Sequence, residues 1–216
     1  MDVRLNWQVA TNGQGLDGHR KFLDSQGGLY VWIWNGKPPR VIYIGEAINF
    51  SNRFKTHMSK LLGGEYTVFH MARDDDFIEF VKTNYAGKTF EEMNDQRAIY
   101  IPTTEKRETL SFSRAFFDQE ECNQRVVYMQ NHTYAFATVE GDCPPKQIEG
   151  ALIAMLFKEY EKSTGVSLRR KGGKSNATPI GNINKHPVTS LTIEHTGEAV
   201  SRLPAEFRAI TRCDIQ

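Results

Sequence analysis

The sequence predicts an α+β fold, a small antiparallel sheet flanked by helices and interrupted by an inserted subdomain. Three observations carry this. Residues 29–34, LYVWIW, and 40–44, RVIYI, are rich in β-branched and aromatic residues around the turn chemistry NGKPP, and read as a β-hairpin. Residues 47–62, AINFSNRFKTHMSKLL, space Ile48, Phe54, Met58, Leu61 and Leu62 as a helix does. Residues 141–163, GDCPPKQIEGALIAMLFKEYEKS, make the clearest helix in the chain.

Taken in order, residues 1–26 are polar and glycine-containing and read as an N-terminal arm with a short helix near His19 to Leu23. The hairpin follows, then the first long helix, with Asn49 or Ser51 as its cap and Gly63-Gly64 as its stop. Residues 63–125 read as an insertion. They hold an acidic run at Asp74 to Asp76, a helix through FIEFVKTNY, a strand at RAIYIP and a polar loop, TTEKRETLS. RVVYM and TYAFATV, separated by QNH, suggest a second pair of strands. In the next helix Pro144 and Pro145 occupy the first turn, where proline is tolerated, and Ile148, Leu152, Met155 and Leu156 form an apolar stripe. The core is thus expected from 27–62 and 126–185, and 186–216 form a C-terminal extension with one strand and one short helix.

At 216 residues the chain suffices for one well-buried domain carrying an insertion. A net charge of +1 gives no global argument for nucleic acid or membrane, so a nucleic-acid partner needs local basic clusters. No apolar run approaches the roughly 20 residues that span a bilayer. The start has no cationic segment followed by an apolar core, and Cys122, Cys143 and Cys213 form no CxxC pair. A cytoplasmic location without a zinc site or disulfide framework is expected.

Four features ask for chemistry. Tyr30 and Tyr43 fall on one face of the hairpin if its loop has two or four residues, and a four-residue loop would pair them directly; an odd loop would separate them. The bland alternative is an aromatic pair that stabilises the sheet. Arg53 and His57 stand four apart on the next helix and can reach one ligand together, a guanidinium for phosphate and an imidazole for a proton. The alternative there is a solvated face shared with Lys55 and Lys60. Glu149 lies between Leu156 and Tyr160 on the helical wheel, inside the apolar sector, where a carboxylate needs a metal, a cation or a donor. Its position in the first turn offers a plainer account, because acid there suits the helix dipole. Last, Arg169, Arg170, Lys171 and Lys174 cluster among glycines and could grip a phosphate backbone, or form only a charged loop. GGKS in that run is not a Walker loop, since Leu168 stands where a glycine is required and Pro179 interrupts the following helix.

Together these positions resemble the GIY-YIG nuclease family. Its two strand motifs correspond to Gly28-Leu29-Tyr30 and Tyr43-Ile44-Gly45, and its helical arginine to Arg53, ten residues after Tyr43. His57 matches the tyrosine or histidine that some members place four residues on. QIEGALIAMLF resembles the later helix with its metal-binding glutamate, here Glu149, and Asn176 is the best match for the family asparagine, with Asn182 and Asn184 as alternatives. The close resemblance covers residues 27–62 and about 133–160. The stretch from Arg53 to Glu149 is longer than in minimal members, and Glu46 follows YIG where several relatives carry a lysine nearby.

The resemblance implies a small three-stranded-type sheet and a divalent-metal-dependent endonuclease acting on DNA, of restriction, mobile-element or phage type. It implies Mg²⁺ or Mn²⁺ held by Glu149, and Arg53 on the scissile phosphate. A tyrosine, 30 or 43, would orient or deprotonate water, His57 would complete the proton network, and Asn176 would anchor the glutamate or metal shell. Lys55 and the 169–174 run are the expected DNA contacts, and a palindromic target would call for a homodimer. A catalytically silent binding module or a structure-specific repair nuclease on the same scaffold are the alternatives.

Overall fold

The computed structural model describes residues 1–10, 22–63, 66, 76–84, 86–87, 117–168, 177–178, 180–182 and 190–214. Its elements are β1 (Asp2–Ala10), β2 (Gly28–Trp34), β3 (Arg40–Ala47), α1 (Phe50–Leu62), α2 (Phe77–Asn84), α3 (Gln119–Gln130) and β4 (His132–Glu140). There follow α4 (Pro145–Thr164), β5 (Ala177–Thr178), β6 (Gly181–Asn182), β7 (Ser190–Thr196), a 3₁₀ turn (Val200–Arg202), α5 (Ala205–Arg208) and β8 (Arg212–Asp214).

The α+β class holds, but the sheet is not the small three-stranded one. Six strands run in the order β3-β2-β4-β1-β7-β8, with β5 and β6 forming a separate two-stranded pair. Residues 2–10, expected as part of an arm, lie within the sheet, antiparallel to β4 and parallel to β7. The physical reason is simple alternation: Val3, Leu5 and Trp7 are buried while Asp2 and Arg4 are exposed, which only a strand achieves. The C-terminal residues likewise add two strands, β7 and β8, rather than one. His195 seals this half. Its Nδ1 accepts from Trp7 Nε1 at 3.0 Å, and its Nε2 donates to the Ile210 carbonyl at 3.0 Å.

The second correction is RVVYM, which is helical. Asp118 caps α3 by accepting from the backbone N–H of Glu120 and Glu121, and the buried side chains Glu121, Arg125 and Tyr128 recur at helical spacing. Val127, which favoured a strand by propensity, is 52% exposed. The helix therefore runs through residue 125, where the insertion was expected to end. FIEFVKTN is helical as α2. RAIYIP, the acidic run and TTEKRETLS lie outside the described residues.

In α1 the cap is Asn49, whose side chain accepts from Asn52 N–H at 2.8 Å, and Gly63 ends the helix. Ile48 precedes the helix and is 97% exposed, so the buried stripe is Phe50, His57 and Leu61, with Phe54 and Met58 half-buried. Phe50 packs on Phe136 and Phe54 on Tyr134, and both partners are on β4. Pro145 opens α4, which packs across β3 and β2; its Tyr160 hydroxyl donates to the Val41 carbonyl at 2.7 Å. The edge strand β3 thus lies within reach of both long helices.

Candidate active site

The hairpin solves the tyrosine question by an unexpected route. Trp34 pairs with Arg40, so the loop is Asn35 to Pro39, an odd length that should send Tyr30 and Tyr43 to opposite faces. A register shift between Trp32 and Ile33 restores the parity: Ile33 pairs with Val41 but Trp32 with Tyr43, leaving Ile42 as an extra residue. The two tyrosines therefore share a face, displaced diagonally, with ring centroids 5.8 Å apart. Tyr30 stands directly opposite Gly45, not Tyr43.

Gly45 is what lets the Tyr30 ring lie down. A Cβ there would sit 2.3 Å from Tyr30 Cζ and from its hydroxyl oxygen. Gly28 has a different reason. Its φ of +146° suits glycine, and a Cβ would meet the Ala137 carbonyl oxygen at 2.2 Å, blocking the approach of β4. Gly45→Ala is expected to push the Tyr30 ring off its partners, destabilising the fold by about 1–3 kcal/mol. Any reaction that depends on that hydroxyl should slow by about a hundred-fold. Urea unfolding and the cleavage assay below measure the two effects; unchanged values of both would contradict this account.

Tyr30 is the hub. Its hydroxyl lies 2.7 Å from His57 Nε2 and accepts from Arg53 Nε at 3.1 Å. His57 is only 2% exposed, which rules out the alternative of a solvated helix face for it, and its Nδ1 lies 2.8 Å from the Tyr66 hydroxyl. Burial, with the nearby charges of Arg53 and Lys60, lowers the imidazole pKa to about 3, so the ring is neutral near pH 7. Burial also raises Tyr30, as does the charge of Tyr43, so its phenol keeps its proton at that pH. Burial raises Tyr43 as well, while Tyr30 and Arg53 draw it down and Glu149 pushes it up. Arg53 is exposed and loses some hydration to burial, yet its charge is favoured overall by Tyr30 and Tyr43.

Glu149 completes the cluster from the other long helix. Its side chain is half-buried, and burial together with the charge of Glu46 raises its pKa to about 7. Lys146, Arg53 and the backbone N–H of Glu46 pull the other way. That N–H belongs to the edge of β3, whose Ile44 N–H donates instead to the Ile180 carbonyl at 3.2 Å. Alternate donors of an edge strand are thus used, one by a loop and one by a carboxylate.

Glu149 is the residue of this cluster that could hold a hard divalent cation. Among the described residues no ion pair within 4 Å closes on Glu149, so a second carboxylate nearby leaves it short of positive charge. No group of three or more His, Cys, Asp or Glu gathers among the described residues. An all-protein cage is therefore not what this position offers. One carboxylate completed by waters and phosphate oxygens is the manner in which Mg²⁺ is often held, and Mn²⁺ takes similar oxygen ligands.

Tyr30, Tyr43, Arg53, His57 and Glu149 are thus brought together from four elements, β2, β3, α1 and α4. Lys55 is exposed on α1. Asn176, Asn184, Arg169, Arg170, Lys171 and Lys174 lie outside the described residues, and Asn182 is described only as backbone paired with Ala177. Sequence reasoning missed Tyr66, nine residues beyond His57 with no periodicity to mark it, and did not foresee that both the charge and the backbone N–H of Glu46 act on Glu149. No protein-family model, curated protein or solved structure matches the chain.

Proposed function

We propose that the protein is a divalent-metal-dependent endonuclease that hydrolyses DNA phosphodiester bonds, of the restriction, mobile-element or phage type that the GIY-YIG resemblance implies. One observation carries the reading. Five residues picked for nuclease chemistry, from Tyr30 to Glu149, converge at one edge of the sheet with Arg53 acting on both tyrosines and Glu149. An aromatic pair that merely filled the sheet would need neither the guanidinium nor the imidazole.

In this reading the exposed part of the Arg53 guanidinium grips the scissile phosphate and offsets its growing charge. The Tyr30 oxygen, already accepting from Arg53, has a lone pair left to orient the attacking water. As the water's proton moves to that oxygen, the Tyr30 proton passes to His57 Nε2. Of the two tyrosines, Tyr30 is the one with a hydrogen bond to a neutral imidazole, which favours it as the base. Tyr43 approaches the same phosphate beside Arg53. Mg²⁺ or Mn²⁺ held by Glu149 would stabilise the pentacovalent phosphorane and the leaving 3′ oxygen. Lys55 and the basic 169–174 run would hold the DNA backbone, and the pairing of Ile180 with Ile44 tethers the segment after that run beside the site. Asn176 would steady the glutamate. No helix among the described residues is long and apolar enough to cross a membrane; a cytoplasmic enzyme, homodimeric on a palindromic target, completes the proposal.

The test is digestion of plasmid and phage-genome DNA with Mg²⁺, comparing wild type with Glu149→Ala. Discrete fragments lost in the variant are expected. Cutting by neither protein, with DNA still bound, would favour a silent binding module, and equal cutting by both would remove Glu149 from the mechanism.

A further inference from the structure

We infer that Tyr66 is a positioning residue that holds the His57 ring with its proton on Nδ1, leaving Nε2 free to take the Tyr30 proton. The inference rests on the nuclease reading and adds to it a residue that lies outside the motifs that suggested it. Three hydrogen bonds run in series: Tyr66 hydroxyl to His57 Nδ1 at 2.8 Å, His57 Nε2 to Tyr30 hydroxyl at 2.7 Å, and Arg53 Nε to the same hydroxyl at 3.1 Å. His57 is 2% exposed, Tyr30 3% and Tyr66 7%, so water does not substitute freely for any link.

Only two arrangements of protons satisfy the series. Arg53 can only donate, so the Tyr30 oxygen is an acceptor in both. If Nε2 carries the imidazole proton, the Tyr30 oxygen accepts twice and has no lone pair for water, and Nε2 has no room for a proton. If Nδ1 carries it, the Tyr66 oxygen accepts from Nδ1–H, Tyr30 donates to Nε2, and one Tyr30 lone pair remains beside Tyr43. Only the second arrangement gives the proton released by the attacking water a destination. The balance is complete: a P–O bond to water forms and the P–O3′ bond breaks. The water's proton reaches Tyr30, the Tyr30 proton reaches Nε2, and the imidazolium returns its proton to solvent after product leaves. The leaving oxygen takes its proton from water. Tyr66 thus orients the ring as a third group orients the base in nucleophile–base systems.

The test has two arms. Long-range ¹H–¹⁵N NMR of the imidazole reads the tautomer of His57 in the wild type and in Tyr66→Phe, which keeps the ring and removes the hydroxyl. The expected result is Nδ1–H in the wild type and a shift to Nε2–H in the variant. Nε2–H in the wild type, or Nδ1–H unchanged in the variant, would overturn the inference. The wild-type spectrum decides even should the variant fail to fold, and it reads without any cleavage, so failure here is distinct from failure of the nuclease reading. In the second arm, single-turnover cleavage by Tyr66→Phe is expected to fall about ten- to a hundred-fold, with DNA affinity unchanged. Loss of affinity with an unchanged cleavage step would also overturn it.

Discussion

Arg53→Ala is expected to lower metal-dependent DNA cleavage by about a thousand-fold or more, with little loss of stability. The guanidinium does two things. Its Nε donates to Tyr30, and its exposed remainder meets no carboxylate within 4 Å among the described residues. A charge held ready for a phosphate in this way acts most strongly when the phosphate gains charge in the transition state, where removing such a donor costs about 10²–10³ and an arginine in phosphoryl transfer up to about 10⁵. Arg53→Lys should recover less than a tenth of the loss, because one ammonium cannot serve Tyr30 and two phosphate oxygens at once. Since the side chain is exposed, the unfolding free energy from urea titration should change by no more than about 1 kcal/mol. Single-turnover cleavage gives the rate, and a fall of less than tenfold would take Arg53 out of the role assigned to it.

Acid is the second large effect. His57 and His132 are buried and His195 is half-buried, and desolvation is the leading cause that lowers each, His57 to about 3 and His132 to about 4. An unfolded histidine titrates near pH 6.5. Above that value the ring is neutral in both states and its contribution is fully present. Below it the unfolded chain takes a proton that the fold refuses, so stability is lost as pH falls towards the folded values. At pH 5 the cost is roughly 2 kcal/mol each for His57 and His132, and His195 adds in the same direction. Glu149 works the other way. Its pKa is raised to about 7, so its contribution is present at low pH and lost as pH rises through that value. In the absence of metal, Glu149→Gln should therefore lose stability more steeply between pH 7 and pH 5 than the wild type. Urea midpoints at the two pH values, measured in chelator, check both statements. Equal midpoints for the wild type at pH 7 and pH 5 would contradict them.

Much of the site was legible because its residues announce chemistry by type and local spacing. Arg53 and His57 at helical spacing, Glu149 in an apolar sector and two tyrosines in one hairpin were all visible, and the described residues bring them together. The reason for the tyrosines' shared face was not. A five-residue loop alone gives the wrong parity, and the compensating extra residue at Ile42 leaves no mark on an otherwise continuous RVIYI. A solvated face stood as the alternative for His57 because Lys55 and Lys60 lie nearby, whereas Phe50 and Leu61 share its buried stripe.

The fold was less legible than the site for two physical reasons. Local propensity favoured a strand at Val126-Val127, but the Asp118 cap and the buried spacing of Glu121, Arg125 and Tyr128 favour a helix. Long-range pairing is invisible to a local pattern. The alternation Val3, Leu5, Trp7 was there to be read as a strand, yet nothing in it says that β1 lies between β4 and β7. Tyr66 belongs to the same kind of fact, a tertiary contact made by a residue whose neighbours in sequence predict nothing.

The central claim is that these residues direct a water molecule at phosphorus with the 3′ oxygen departing. Cleavage of DNA in ¹⁸O-labelled water with Mg²⁺, followed by mass spectrometry of the ends, tests it most directly, with Glu149→Ala run alongside. The account predicts 3′-hydroxyl ends and one ¹⁸O on each 5′-phosphate from the wild type, and intact DNA from the variant. Ends bearing 3′-phosphate, or labelled products in equal yield from both proteins, would contradict it.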